Sequence, residues 1–321
     1  MTTEERNTLA LVVPCYNEEE VLPSTNAQLL ELIDKMISEG LVSTSSFILY
    51  VDDGSRDDTW SLISEAVSIS PHVEGLKLSG NRGHQNALLA GMEAASPQAD
   101  MVVTIDADLQ DDITAIPEMV RSFLDGNEIV YGIRDSRQTD TRFKRTTAQS
   151  YYRLMEHLGV KTIYNHADFR LMGRRAVEAL LKYDERNLYL RGIVPLLGFK
   201  QDSVYYDRKV RTAGTTKYPF TKMASFAIEG ITSFSVRPVR MVFFIGLIFV
   251  LIALAIFIYT MIRYFSGETI EGWTSLMLSI WFCTGLILVC LGIIGEYVGK
   301  IYMESKHRPR YVIDSFIKHK K

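Results

Sequence analysis

Short apolar runs alternate with stretches of helical periodicity through the first part of the chain. Leu9 to Val13 is apolar up to Pro14 and gives way to Cys15-Tyr16-Asn17-Glu18-Glu19-Glu20, after which Val21, Leu22, Leu29, Leu30 and Ile33 recur at helical spacing. Phe47 to Val51 reads as a second buried strand. It runs into Asp52-Asp53-Gly54-Ser55-Arg56-Asp57-Asp58-Thr59, where Gly54 permits a tight turn and Asp58 or a neighbour caps a helix beginning near Thr59. Gly75 to Leu78 leads through Ser79-Gly80-Asn81-Arg82-Gly83 into a helix from about His84 to Ala95, and Met101 to Ile105 leads into Asp106-Ala107-Asp108-Leu109-Gln110-Asp111-Asp112. Ile129 to Ile133 is one further strand. Strands alternating with helices predict an α/β fold built on a mostly parallel sheet. Each polar cluster follows a strand, and the carboxyl edge of such a sheet is where ligands bind, so the clusters are expected to share one site.

The pattern changes after residue 215 or so. Phe220, Met223, Ala227, Ile231 and Phe234 recur every three or four residues, with Lys217, Lys222 and Arg237 near the ends. Residues 216–238 therefore read as an amphipathic helix in the membrane interface, with packing on the soluble domain as the alternative. Met241 to Ile262 holds no charged residue between Arg240 and Arg263, and Trp273 or Ser275 to Ile294 is similarly uncharged. At roughly 1.5 Å per residue each crosses a bilayer core of about 30 Å. The expected organisation is a domain over 1–215, the interfacial helix, a transmembrane hairpin over 239–298 (spans near 241–262 and 274–296) and a basic tail over 299–321.

Charge orients the hairpin. Arg237 and Arg240 precede it, and Lys300, Lys306, Arg308, Arg310, Lys318, Lys320 and Lys321 follow it, whereas the loop from Arg263 to Glu271 carries one basic residue and two acids. The positive-inside bias puts both ends in the cytoplasm and the protein in the inner membrane as a multi-pass chain. Nothing at the amino terminus reads as a signal peptide. Three cysteines fit neither a disulfide framework nor a zinc site. The glycines at Gly80 and Gly83 lack the third member of a dinucleotide fingerprint, and no Walker loop is present. The net charge of −3 excludes little, and no nucleic-acid partner is expected. Gly292, Gly295 and Gly299 allow close helix approach, so a homo-oligomer is expected.

The chemistry centres on Asp106 and Asp108. Two carboxylates delivered to one side of a strand end repel each other, and hard oxygen donors select magnesium or manganese, with a metal-bound diphosphate as the natural guest.

In order along the chain, Pro14 to Glu20, Asp52-Asp53-Gly54-Ser55, Asn81-Arg82-Gly83-His84 and Asp106 to Gln110 resemble the successive motifs of glycosyltransferase family 2, whose nucleotide-sugar-binding domain has the fold called GT-A. The resemblance implies that Pro14, Tyr16, Glu18 and Asp53 line the nucleoside pocket. It also implies that Asp106 and Asp108 hold the nucleotide and its Mg2+ or Mn2+, with Gln110 as a further ligand. Gly295 to Tyr311 resembles the tail of bacterial bactoprenol-phosphate glycosyltransferases, relatives of dolichol-phosphate mannose synthases, and Arg211 to Tyr218 resembles a further element of that family, with Thr216 in place of the usual Ser. Asp168-Phe169-Arg170 resembles the acceptor-side motif of the glucosyl branch and marks Asp168 as the catalytic base.

The implied activity is inverting transfer of a sugar, glucose from UDP-glucose first among the donors, to polyprenyl phosphate at the cytoplasmic leaflet. UDP-GlcNAc, GDP-mannose and a UDP-aminoarabinose derivative stay open as donors. A phosphate monoester has its second pKa near 6 and is largely dianionic at neutral pH, so the acceptor hardly requires a base, and Asp168 could instead orient Arg170. Cations expected at the acceptor phosphate are Arg134, Arg145, Arg170, Arg211 and Lys217. A processive polysaccharide synthase would carry a Gln-x-x-Arg-Trp element, which is missing, and a non-enzymatic scaffold would not need Asp108 for turnover.

Overall fold

The computed structural model describes residues 6–134, 166–185, 190–206 and 272–319, with isolated positions between 242 and 266. The chain divides into two compact units. One comprises Met1–Leu154, Lys161–Tyr218 and Arg308–Lys321, the other Met155–Val160 and Pro219–His307.

The first unit is built on strand β1 (Leu9–Cys15), helix α1 (Leu22–Ser38), β2 (Phe47–Asp52), α2 (Thr59–Ile69), β3 (Val73–Leu78), α3 (His84–Ala95), β4 (Met101–Thr104), α4 (Ile116–Leu124), β5 (Ile129–Arg134), β6 (His166–Gly173), α5 (Arg174–Leu181), α6 (Leu190–Ile193) and β7 (Gln201–Tyr206). A last strand, β8 (Ile313–Lys318), completes one eight-stranded sheet in the order β7-β5-β6-β4-β1-β2-β3-β8. β1 pairs in parallel with β2 and β4, β2 with β3, and β5 with β7, while β6 runs antiparallel to β4 and β5 and β8 antiparallel to β3. The sheet is therefore mixed, with a parallel centre, as the α/β reading of the sequence requires.

The central strands are uniformly apolar because both faces are covered. Leu11, Val13, Ile48 and Tyr50 belong to one core with Leu29 and Ile33 of α1, Ile63 of α2 and Met119 of α4. The opposite face meets α3 so closely that a Cβ on Gly91 would lie 2.4 Å from Val12 Cγ1 and 2.8 Å from Val51 Cγ2, which is why a glycine stands there.

In the second unit, α7 (Trp273–Ser305) is one continuous helix of 33 residues. Within it Phe282–Ser305 is long and apolar enough to cross a membrane, the only such stretch among the described residues. The described positions between 242 and 265 are helical, and the apolar side chains Phe244, Ile248, Leu251, Leu254, Ile258 and Ile262 are exposed. The expected interfacial helix over 216–238 lies outside the described residues.

The tail departs from its sequence reading. Residues 299–305 continue α7, and 313–318 form an edge strand within the stretch read as a basic tail. Ile317 lies against the bare face of Gly75, where a Cβ would come within 3.0 Å of Ile317 Cγ1, and Lys318 pairs with Glu74 at 3.1 Å.

Candidate active site

The parallel strands bring the four polar clusters to one edge of the sheet, as the sequence pattern requires. The loops after β1 and β2 fasten to each other. Asn17 N donates to Ser55 Oγ at 3.0 Å, Arg56 N to Asn17 Oδ1 at 2.9 Å, Glu18 N to Thr59 Oγ1 at 2.9 Å and Asp58 N to Glu19 Oε2 at 3.0 Å. Asp57 rather than Asp58 caps α2, accepting from Thr59 N at 3.1 Å. Pro14 is buried within β1, Tyr16 is exposed, and Glu18 follows in the loop.

Asp53 reaches the next loop. Its two carboxylate oxygens accept the backbone N–H groups of Arg82 at 2.6 Å and Gly83 at 2.8 Å. Burial raises its pKa against the opposing pull of those two donors. The approach is tight: a Cβ on Gly54 would lie 2.7 Å from Asn81 N, and Gly54 has a φ of 72°, so both space and backbone demand glycine. Asp53, expected at the nucleoside, is thus also the clasp that holds the start of α3.

β4 ends at Thr104, so Asp106 and Asp108 lie in a turn rather than on an extended strand as expected. Leu109, with a φ of 44°, donates its N–H to Asp106 O at 3.1 Å, and Thr25 Oγ1 donates to Ala107 O at 2.6 Å. Gln110 is buried beside them, and Asp111, also buried, is gripped by Tyr206 Oη at 2.7 Å and by Arg134 Nη2 at 2.9 Å. Arg134, expected at the acceptor phosphate, therefore already has a carboxylate partner and braces the loop that carries Asp106 and Asp108.

β6 brings Asp168 to the same edge because it runs antiparallel to β4, with Thr104 opposite Arg170. Asp168 is clamped from two sides. Arg170 Nη2 lies 2.6 Å from Oδ1, and Arg191 Nη2 lies 3.0 Å from Oδ2 with Nε 3.3 Å from Oδ1. Burial alone would raise the Asp168 pKa, but Arg191 and then Arg170 overcome it and hold the carboxyl well below the usual carboxylate range. Arg170 is 2% exposed, so its charge is delivered to Asp168 and not to a ligand in solvent. Arg145, Arg211 and Lys217 lie outside the described residues.

Two participants were not singled out from sequence. His84, the first residue of α3, places Nε2 3.5 Å from Asp106 Oδ1 and 3.7 Å from Asp168 Oδ2, joining the two carboxylates. It sits inside a motif already noted, so its position after Arg82-Gly83 was the available signal. Arg191 had none, since it reaches the site only through the short α6.

Asp106 has the reverse electrostatics of Asp168. Burial in the cleft raises its pKa, His84 opposes the rise, and the carboxylates of Asp168, Asp111 and Asp108 add to it. No group of three or more His, Cys, Asp or Glu side chains is close enough to hold a metal among the described residues. Magnesium is normally bound by one or two carboxylates plus substrate phosphates rather than an all-protein cage, so the two carboxylates of the Asp106–Asp108 turn fit it.

Comparison with known proteins gives the family. The profile described as Glycosyl transferase family 2 matches residues 10–181, and that of the GtrB C-terminal hairpin matches residues 237–301. The uncharacterized glycosyltransferase YkoT of Bacillus subtilis is 54% identical over 95% of this chain and 91% of its own length. The bactoprenol glucosyl transferase of Shigella phage SfV is 39% identical over 95% of this chain and 97% of its own. A glucosyl-3-phosphoglycerate synthase from Mycobacterium tuberculosis, crystallised with Mn2+, UDP and phosphoglyceric acid, superposes with a TM-score of 0.44 at 15% identity, covering 70% of this chain and 76% of that one. On the strength of the profile and of relatives matched along nearly their whole length, the chain belongs to glycosyltransferase family 2.

Proposed function

We propose that this glycosyltransferase moves a sugar, with glucose from UDP-glucose as the leading donor, onto polyprenyl phosphate at the cytoplasmic leaflet, inverting the anomeric centre. The observation that carries the reading is the carboxylate pair at the sheet edge: Asp106 and Asp168 share His84 Nε2 at 3.5 and 3.7 Å, while Arg170 and Arg191 clamp Asp168 at 2.6 and 3.0 Å. Similarity to bactoprenol glucosyl transferases extends through the hairpin as well as the catalytic domain, which supports a lipid acceptor.

Asp106 and Asp108, with Gln110 beside them, are the residues to hold Mg2+ or Mn2+, which would supply charge compensation on the departing diphosphate. Pro14, Tyr16 and Glu18 are the side chains to line the nucleoside. The acceptor oxygen attacks the anomeric carbon while the bond to the diphosphate breaks on the opposite face. The acceptor is largely dianionic at neutral pH, and a carboxyl held below its usual range is a poor proton acceptor, so Asp168 acts as a fixed negative charge that orders His84, Arg170 and Arg191 around the reacting centre. Arg145, Arg211 and Lys217 remain the candidates for the acceptor phosphate itself.

Two membrane crossings are supported by the path of the chain. β7 and β8 belong to one sheet, so whatever part of residues 207–312 enters a bilayer returns to the side it left, and the number of crossings is even. With α7 as one crossing, the charge-free stretch 241–262 is the other. The bare surfaces of Gly292, Gly295 and Gly299 on α7 support association with a second copy.

The test is direct. Purified protein in lipid is incubated with polyprenyl phosphate, Mg2+ or Mn2+ and a panel of nucleotide sugars, and the lipid product is identified by mass. A polyprenyl-phosphate hexose from one donor is expected, and hydrolysis without lipid product would overturn the reading.

A further inference from the structure

The first turn of α3 touches the site twice, and only the first contact faces the carboxylates. His84 lies beside Asp106 and Asp168. The next residue, Gln85, points its Oε1 at the backbone N–H of Leu190, 2.9 Å away and far along the chain. Leu190 is 1% exposed and opens α6, a helix of four residues, so its N–H is one of the orphan donors that every helix start leaves unpaired. Arg191, one of the two arginines that clamp Asp168, comes immediately after it.

We infer that Gln85 is a positioning residue for catalysis: by capping α6 it fixes the backbone from which Arg191 reaches Asp168. A four-residue helix has little cooperativity of its own, and a buried N–H stripped of its acceptor turns elsewhere for a partner. Arg191 is the side chain that such a shift displaces, because Arg170 sits in the register of β6 and stays. Gln85 is itself held in place, since Asp53 binds the N–H groups of Arg82 and Gly83 just before it. One continuous set of contacts thus runs from Asp53 through the start of α3 and Gln85 to Arg191 and Asp168, and it couples the loop expected at the nucleoside to the charge expected at the acceptor.

The inference rests on the transfer reaction proposed above, and the test separates the two. Gln85→Leu is expected to lower kcat about ten-fold, less than the roughly hundred-fold that a 1 Å misplacement can cost, while KM for the nucleotide sugar moves by less than about two-fold. Gln85→Glu, which keeps an acceptor oxygen, is expected to restore most of that loss. The double variant Gln85→Leu with Arg191→Gln is expected to match Arg191→Gln alone within about two-fold, because both act on one contact. An unchanged kcat, a loss that falls on KM, or multiplicative losses in the double variant would overturn the inference. Amide hydrogen exchange reads the same contact without any turnover: faster exchange at 190–193 in Gln85→Leu, with β4 unchanged, is expected, and equal exchange would overturn the positioning role. A wild-type protein that transfers no sugar while this exchange difference persists would sink the proposed reaction and leave the contact standing.

Discussion

Asp106 and Asp168 share a neighbour, His84 Nε2, at 3.5 and 3.7 Å, yet they are electrostatic opposites. Asp168 has its cations built in, one on its own strand and one on α6, and its carboxyl is held below the usual range. Asp106 pairs with no arginine or lysine among the described residues, and the acids around it add to the burial that raises its pKa. A carboxylate that folding has already neutralised is a structural charge. One left among like charges is where the proposed reaction would bring in the cation of the donor diphosphate. Under that proposal the cleft is divided between a half paired by folding and a half assigned to the incoming metal.

The sharpest way to break that division is to remove the incoming cation. Chelation of divalent metal, or Asp108→Ala, is expected to lower sugar transfer by about a thousand-fold or more, measured as radiolabelled lipid product. Metal-independent activity would erase the distinction between the two carboxylates.

Next in size is Arg170→Met, which leaves Asp168 buried with one partner. A loss of about 3–5 kcal/mol is expected from chemical denaturation. The pH dependence carries a sign. Because the folded pKa of Asp168 is depressed, its stabilisation is fully present above about pH 5 and is lost as the pH falls through the ordinary carboxylate value near 4 towards the folded one. Arg170→Met is therefore expected to flatten the acid limb of stability between about pH 5 and 3.

Asp168→Asn is expected to lower kcat by about a hundred-fold, equally from pH 6 to 9. Recovery at high pH, where the acceptor is wholly ionised, would make Asp168 a base. Asp106→Asn sharpens the comparison from the other side: sugar transfer is expected to fall at least about a hundred-fold while the melting temperature stays within a few degrees, because this half-exposed carboxylate pairs with no arginine or lysine among the described residues. Smallest is Tyr206→Phe, which removes one donor to Asp111 while Arg134 remains, at a cost of about 1 kcal/mol.

What the sequence made legible was local. β1 to β4 each announce themselves as apolar runs closed by polar turns, and α3 begins at His84 as the periodicity requires. The Asp53, Asp106 and Asp168 positions stood out through family motifs. Their partners did not, because Arg191 meets Asp168 across 23 positions and Gln85 meets Leu190 across 105, and no periodicity encodes such contacts. Arg170 looks in the sequence like an open cation because arginine is seldom buried, and only the pairing of β4 with β6 shows it enclosed. β8 is hidden for another reason: Ile313 to Lys318 shows no strict alternation and lies between basic clusters whose composition suggests a solvated tail.

β8 also sets an order of events during synthesis. It forms the outer rail of the sheet beside β3, yet it is the last of these strands to be made, after the apolar segments that separate it from β7. Until then the hydrogen-bonding groups along β3 stand open, a template for unwanted partners. The sheet is thus sealed only when the apolar segments between β7 and β8 are complete, so a chain truncated before residue 313 carries a sticky flank in place of a finished edge.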